Sequence, residues 1–393
     1  MNMSHSVSIF VFSSVVLAQP VRAAFGPLFC PVTNDSYRCV YTARVSEAPV
    51  RGGFMLPADG GTRQDFADMA AMGARVVRYH MNIGSDAEIR DKNDLPPEQY
   101  EEILFKWLET KLAKLDEMIS WEEGKDILFA VGLHGSPGGL YSKGNLPIEH
   151  MDCLRSDRMF NEKAYAKMFV RVWQVIAARY KGEKRIYGYD LVNEPNQTAP
   201  SKVDFWNIQR ICAEEIRKID PETPIIVESN KHSIPYTYDD MAPIELPNIL
   251  YSVHMYLPFD FTHQGVVPLE PVKGPMPYPN AALGWDRNKL IRELDLARKF
   301  QLKHGAKMFV GEYGAAVWAP GRGHWLYDVT GLYNDWGWDW CYHAFREWTG
   351  WSMEHAARTW GDKSAANFVP AKDTDARQAI LIRLRELNAR AHR

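Results

Sequence analysis

Short apolar runs with strand character recur eight times along this chain, and helix-like stretches separate most of them. The runs are Arg51–Leu56, Ala74–His80, Asp126–His134, Arg185–Val192, Pro224–Glu228, Ile249–His254, Lys307–Gly311 and Gly337–Phe345. The helix-like stretches are Arg63–Met72, Pro97–Trp121, Asp157–Tyr180, Lys202–Ile219, Asp286–His304 and Asp373–Ala389. Strands alternating with helices point to an α/β architecture with a parallel sheet. Eight is the strand number of the (β/α)8 TIM barrel, and the length fits such a barrel with insertions. The alternative is an open doubly wound sheet, which often carries a glycine-rich phosphate loop after its first strand. Neither GxGxxG nor GxxxxGK occurs here, so the expected fold is the (β/α)8 TIM barrel.

The rest of the chain is consistent with one domain. Its 393 residues are 46% hydrophobic, ample for a large core, and no tract is linker-like enough to divide it. The expected organisation is a signal peptide over residues 1–23, then a single domain over 24–393 with a short N-terminal lead. Ser6–Ala18 is apolar but shorter than the roughly 20 residues a membrane span needs, and small residues follow it at plausible cleavage points. A secreted or periplasmic monomer without a membrane span is therefore expected. A disulfide between Cys30 and Cys39 would suit that setting, while Cys212 and Cys341 read as buried thiols. With a net charge of −3 and no dominant basic patch, nothing suggests a nucleic-acid partner.

Function in such a barrel gathers at the C-terminal ends of the strands. This chain loads those ends with polar groups: Arg78-Tyr79-His80, His134-Gly135-Ser136, Asn193-Glu194-Pro195, His254-Met255-Tyr256 and Glu312-Tyr313-Gly314. A single such residue is ordinarily a satisfied core or capping group, but five strand ends together are not. Glu194 and Glu312 stand out as two carboxylates brought to strand ends from distant parts of the chain. That is the equipment for cleaving a glycosidic bond, with one carboxylate as nucleophile and one carboxylic acid to protonate the leaving oxygen. A guanidinium such as Arg78 would keep a nucleophile ionised. Asn193 could bind a sugar 2-hydroxyl, Tyr256 could hydrogen-bond the nucleophile, and His134 and His254 could hold hydroxyls or tune the acid.

The motifs VVRYH, LHGSPGG, DLVNEPN, VHMY and VGEYG, in this order, resemble glycoside hydrolase family 5, within a retaining (β/α)8 clan. The resemblance runs from about Arg51 to Trp351. It implies Glu194 as acid/base and Glu312 as nucleophile, with Arg78, His134, Asn193, His254 and Tyr256 around the substrate. The family also places a tryptophan after strand eight to stack under the sugar. In GWDWCYHAFREWTGWSME that residue is ambiguous, and Trp348 is the choice because it follows the apolar run, with Phe345 and Trp351 as alternatives. Trp285, Trp318 and Trp325 are candidates for outer subsites.

The function so implied is a secreted, retaining β-glycan hydrolase, most simply an endo-β-1,4-glucanase, with a polysaccharide or oligosaccharide as partner and no metal or cofactor. An exo-β-glucanase or β-mannanase of the same family is the alternative. A non-hydrolytic carbohydrate-binding protein or a transglycosylase is the alternative of another class. A metal-dependent barrel hydrolase would usually open with His-x-His on its first strand, and no His-x-His occurs.

Overall fold

The computed structural model describes residues 49–391 apart from 59, 85, 139–156, 198–200, 240 and 267–273. The expected signal peptide, Cys30, Cys39 and Cys153 lie outside the described residues.

Eight parallel strands close into a barrel in chain order. They are β1 (Gly52–Pro57), β2 (Val76–Asn82), β3 (Leu128–His134), β4 (Ile186–Asp190), β5 (Ile225–Glu228), β6 (Ile249–Met255), β7 (Lys307–Tyr313) and β8 (Asp339–Tyr342). Closure is made by β1 against β8, with Gly53 beside Cys341 and Phe54 beside Tyr342. Gly53 has no substitute at its position, since a Cβ there would lie 1.6 Å from the Val76 carbonyl oxygen.

The principal helices are α1 (Arg63–Met72), α2 (Pro97–Ile119), α3 (Lys163–Tyr180), α4 (Phe205–Ile219), α5 (Arg287–Glu293), α6 (Asp295–His304), α7 (Arg322–Trp336) and α8 (Asp375–Ala391). Local chemistry sets their ends. Thr62 and Asp65 form a reciprocal capping box on α1, and Gly73 ends it at φ 93°. Asp204 caps α4 by accepting from the Trp206 and Asn207 amides. In α3 the residues Tyr165, Met168, Phe169, Val172, Trp173 and Ile176 form one stripe on the core.

Two expected helices are divided, at Glu162 before α3 and at Leu294 between α5 and α6. Helix α7 went unread in the sequence because it is buried on nearly every face, Asp328, Thr330 and Asn334 included, so no apolar stripe marks it. A small antiparallel pair, His355–Ala357 with Phe368–Pro370, follows β8 and was likewise unread. Cys212 and Cys341 are buried free thiols. No helix among the described residues is long and apolar enough to cross a membrane.

The barrel interior is layered. Its lower part is an apolar plug of Val76, Ala130, Tyr187, Ile226, Leu250, Phe309 and Cys341. Above it the same strands carry Arg78, Asp190, Glu228, His254 and Glu312, all buried.

Candidate active site

Simple alternation carries Arg78, Glu228 and His254 inward above Val76, Ile226 and Leu250, but Glu312 and Asp190 need two irregularities. Phe309 belongs to the inner plug, so a regular β7 would turn Glu312 outward. Instead the β6–β7 register passes from Val253 opposite Val310 to His254 opposite Glu312, leaving Gly311 bulged. That extra residue turns Glu312 inward. A side chain at 311 would collide with His254 Nε2 at 2.7 Å, so the bulge requires a glycine. A second register shift, between Phe129 and Ala130 on β3, brings Asp190 of β4 inward beneath it.

Arg78 is the hub. Its Nε donates to Asp190 Oδ2 (2.6 Å) and its Nη1 to Glu312 Oε1 (2.7 Å). Its Nη2 donates to Glu228 Oε1 (2.8 Å) and Asn193 Oδ1 (2.9 Å). One buried cation thus meets three carboxylates, and their charges hold its proton firmly against the cost of burial. Asn193 Oδ1 being taken, its Nδ2 donates to His134 Nε2 at 2.7 Å.

The carboxylates beneath the site differ. Burial pushes Asp190 up to about 6 in spite of Arg78, and Asp190 Oδ1 makes no hydrogen bond. For Glu228 the same burial is outweighed by His254 and Arg78, so its pKa falls below the ordinary value. The Glu194 amide (2.6 Å) and the Ser233 hydroxyl (3.0 Å) also donate to Glu228 Oε2. For His254, burial favours the neutral ring, but the charges of Glu228 and Glu312 and a hydrogen bond to Glu194 raise it to about 10.

Glu194 stands at φ 50°, a backbone region that non-glycine residues rarely enter and that clusters at functional sites. The hydrogen bond its backbone N–H donates to Glu228 Oε2 anchors that conformation. His254 Nδ1 donates to Glu194 Oε1 at 2.8 Å, and His232 Nδ1 approaches Oε2 at 3.4 Å. His232 is carried there by a left-handed turn, with Lys231, His232 and Ser233 at φ 54°, 62° and 56°. Glu312 Oε2 accepts from the Tyr256 hydroxyl at 3.0 Å.

One oxygen of Glu194, one of Glu312 and a nitrogen of His254 lie within 4.8 Å of one another. Metal-ligand geometry begins with such a trio, but a protonated His254 donates and does not ligate, and Arg78 already meets Glu312. The arrangement suits two carboxylates acting on one bond. Residues 44–357 match the sequence model of the cellulase family, glycosyl hydrolase family 5.

The chain belongs to glycosyl hydrolase family 5. It is a glycoside hydrolase. Among curated proteins it is 24% identical over 269 residues to Endoglucanase C of Acetivibrio thermocellus, a match covering 62% of this chain and 75% of that one. It is 28% identical over 162 residues to Cellodextrinase A of Ruminococcus flavefaciens, covering 39% and 46%. Among solved structures, Thermotoga maritima Cel5A in complex with cellobiose superposes with a TM-score of 0.61 at 20% identity, covering 84% of this chain and 97% of that one. The cellulose synthase subunit Z of Clostridioides difficile gives 0.57 at 20%, covering 85% and 99%. These structural likenesses show the shared barrel.

Within this family 5 site, Arg78, His134, Asn193, Glu194, His254, Tyr256 and Glu312 are brought together. Trp348 is not among them. Its indole packs edge-on against Trp318 and Trp351 and against Phe368, one layer away. Trp351 is nearer, with its ring 6.0 Å from Tyr256, 5.1 Å from His263 and 5.9 Å from His343. Phe345 is core, against Phe54. Trp325 and Trp318 are also buried, their Nε1 atoms donating to the Leu257 and Gln264 carbonyls, so neither is free to stack on a sugar. Trp285 is half-buried beneath Lys289.

Several participants went unread, His232 on its left-handed turn among them. Glu228 closes the run PIIVE and gave the same signal as Glu194: a carboxylate ending an apolar strand. Asp190 gave a similar one. His343 follows β8 directly, and Glu347 lies four residues on, but tryptophans dominate that stretch. Beside them a cavity of about 390 Å³ is lined by His80, Asn82, Asp86, Lys111 and Glu347.

Proposed function

We propose that this chain is a secreted, retaining endo-β-1,4-glucanase working by double displacement. Glu312 attacks the anomeric carbon while Glu194 protonates the departing glycosidic oxygen. Glu194 then takes a proton from water, which releases the sugar from the Glu312 ester. The observation that carries this reading is the approach of Glu194 and Glu312 oxygens to within 4.8 Å. Retaining enzymes hold their carboxyls about 5–5.5 Å apart, whereas inverting ones leave about 6.5–9.5 Å for a water.

The surroundings support the division of roles. Glu312 has the permanent cation Arg78 and the Tyr256 donor, as an ionised nucleophile needs. Among the described residues Glu194 faces His254 and His232, groups able to follow a carboxyl that gives and regains a proton. Asn193, next to Glu194 and oriented by Arg78, is suited to the sugar 2-hydroxyl. The names of the relatives, endoglucanases and a cellodextrinase, favour a β-1,4-glucan substrate. Residues 24–393 would form one catalytic domain after a signal peptide over 1–23, acting as a monomer.

The test is a panel of carboxymethyl-cellulose, mixed-linkage glucan, laminarin, mannan and xylan, read by product size and by proton NMR of the first anomer released. Short oligosaccharides from carboxymethyl-cellulose with β-anomers first are expected. An α-anomer would overturn retention. Activity confined to mannan, or monosaccharide release from chain ends, would favour the β-mannanase or exo-glucanase reading. Products extended by an added sugar acceptor would indicate transglycosylation.

A further inference from the structure

The residue directly after β8 is His343, and around it runs a chain of ionisable groups that two-carboxylate chemistry does not itself require. His343 Nδ1 stands 2.6 Å from the Tyr256 hydroxyl, which is 3.0 Å from Glu312 Oε2. On its other side His343 Nε2 faces Glu347 Oε2 at 3.5 Å, and His80 Nε2 faces the same oxygen at 3.6 Å.

The Tyr256 hydroxyl has one proton and two neighbours able to accept it. If His343 Nδ1 is bare, the proton can go to the ring, and the phenol then turns a lone pair toward Glu312. If Nδ1 carries hydrogen, the ring donates to the phenol oxygen and the tyrosine proton must go to Glu312. We propose that His343 is a positioning residue: held as an imidazolium between Glu347 and Tyr256, it commits the Tyr256 proton to Glu312. This inference rests on the reading of Glu312 as nucleophile and adds a control on it.

The groups facing His343 support the charged ring. Burial favours its neutral form, but the hydrogen bond to Glu347 and the charges of Glu312 and Glu347 outweigh burial and raise its pKa, and Glu194 adds the same sign. Glu347, partly open to solvent, is held well below the ordinary carboxylate range, because the His343 and His80 rings at 3.5 and 3.6 Å outweigh its partial desolvation. His263, on the turn following Phe259–Thr262, would repel a second cation, but burial lowers it to about 4 and leaves it neutral. Burial and the Glu312 charge push Tyr256 far above its usual value, so the hydroxyl keeps its proton to donate. The arrangement also places the imidazolium Nδ1 3.8 Å from Glu312 Oε2.

The sign follows. As pH rises through the raised His343 value, the ring loses a proton, Tyr256 is released from Glu312, and attack slows. The decisive measurement uses 2,4-dinitrophenyl β-cellobioside, whose leaving group departs without a proton, so loss of kcat/KM at high pH no longer reports Glu194. The wild-type enzyme is expected to keep an alkaline limb. Glu347→Gln should move that limb down by roughly one pH unit as the ring loses its counter-charge. His343→Asn should abolish it and lower kcat/KM near neutrality by roughly tenfold, the weight of one hydrogen bond to a charged group. A limb unmoved in both variants, or a loss of the same proportion at every pH, would overturn the proposal in favour of plain packing.

Histidine-labelled nitrogen NMR of the full chain gives a readout that needs no turnover. The His343 signal, assigned by its absence in His343→Asn, should show both nitrogens protonated at neutral pH; a neutral ring there sinks the idea. Trapping with a 2-deoxy-2-fluoro-cellobioside separates the two levels of the reading. Label on a residue other than Glu312 defeats the nucleophile assignment. Label on Glu312 with one pH dependence in wild type and both variants defeats the relay alone.

Discussion

Two layers of the same barrel, two to four residues apart along the strands that carry both, do opposite work. The lower layer joins Val76, Ala130, Ile226, Leu250 and Phe309 into an apolar plug, with Tyr187 reaching down to Asp339 at 2.6 Å. The upper layer continues those strands into Arg78, Asp190, Glu228, His254 and Glu312, equally buried but charged. Burial is therefore no guide to purpose here. The plug stabilises by removing apolar surface from water. The charged layer gains little that way and persists only because each charge meets another, which holds side chains at the geometry a reaction needs.

The largest separation of the two layers is expected from Glu312→Gln. Losing the proposed nucleophile should lower kcat on the best glycan by roughly ten-thousand-fold or more, with thermal unfolding close to wild type. Glu194→Gln should fall comparably on a natural glycan and far less in glycosylation by an activated aryl glycoside, whose leaving group needs no acid. Near-normal turnover in either variant would break the assignment.

Arg78→Met probes the boundary, because a charged-layer residue here holds up the structure as well. It leaves Asp190, Glu228 and Glu312 buried without their shared cation. Breaking a buried ion network from one side costs about 3–5 kcal/mol, so urea unfolding should show a large loss alongside lost activity. Unchanged stability would mean that the carboxylates simply take up protons, Asp190 first, since burial already lifts it to about 6.

The sequence made the plug and the strand ends legible for one reason: continuous apolar runs closing on a polar residue mark both at once. Glu194, Glu312, Arg78 and His254 were found that way. Parity along a strand was not legible. The Gly311 bulge that turns Glu312 inward, and the register shift beneath Asp190, exist only as pairing between strands. Helix α7 was hidden by being buried all round. The surroundings of β8 were hidden by their own composition: tryptophans drew attention to Trp348, while His343, the residue in contact with Tyr256, sat in the same run.

The converse of the catalytic variants is Phe309→Ala. Its ring packs 5.5 Å from Tyr187 within the plug. Removing it should cost about 3 kcal/mol in unfolding, near the low end for Phe→Ala because the tyrosine ring can lean into the gap. The KM and pH profile of the surviving folded enzyme should hardly move. A shifted pH profile would show that the plug sets the charged layer's geometry, and the comparison would need redrawing.

The gentlest test of the comparison is the pH dependence of stability itself. His254 is raised from 6.5 unfolded to about 10 folded. Its stabilising contribution is therefore complete below the unfolded value and is lost as pH rises through the folded one, which puts the decline between about 6.5 and 10. One proton limits the slope to about 1.4 kcal/mol per pH unit. Asp190, also raised, acts in a different window, from about 4 to 6, so the two can be told apart. Thermal unfolding of wild type and Phe309→Ala should give parallel falling profiles across the alkaline range, because the plug mutation leaves every charge in place. His254→Gln should give a flatter profile, with a residual slope from His343, whose shift has the same sign. Parallel lines for all three would place the linked proton elsewhere and remove His254 as the charge that ties Glu194 to Glu228.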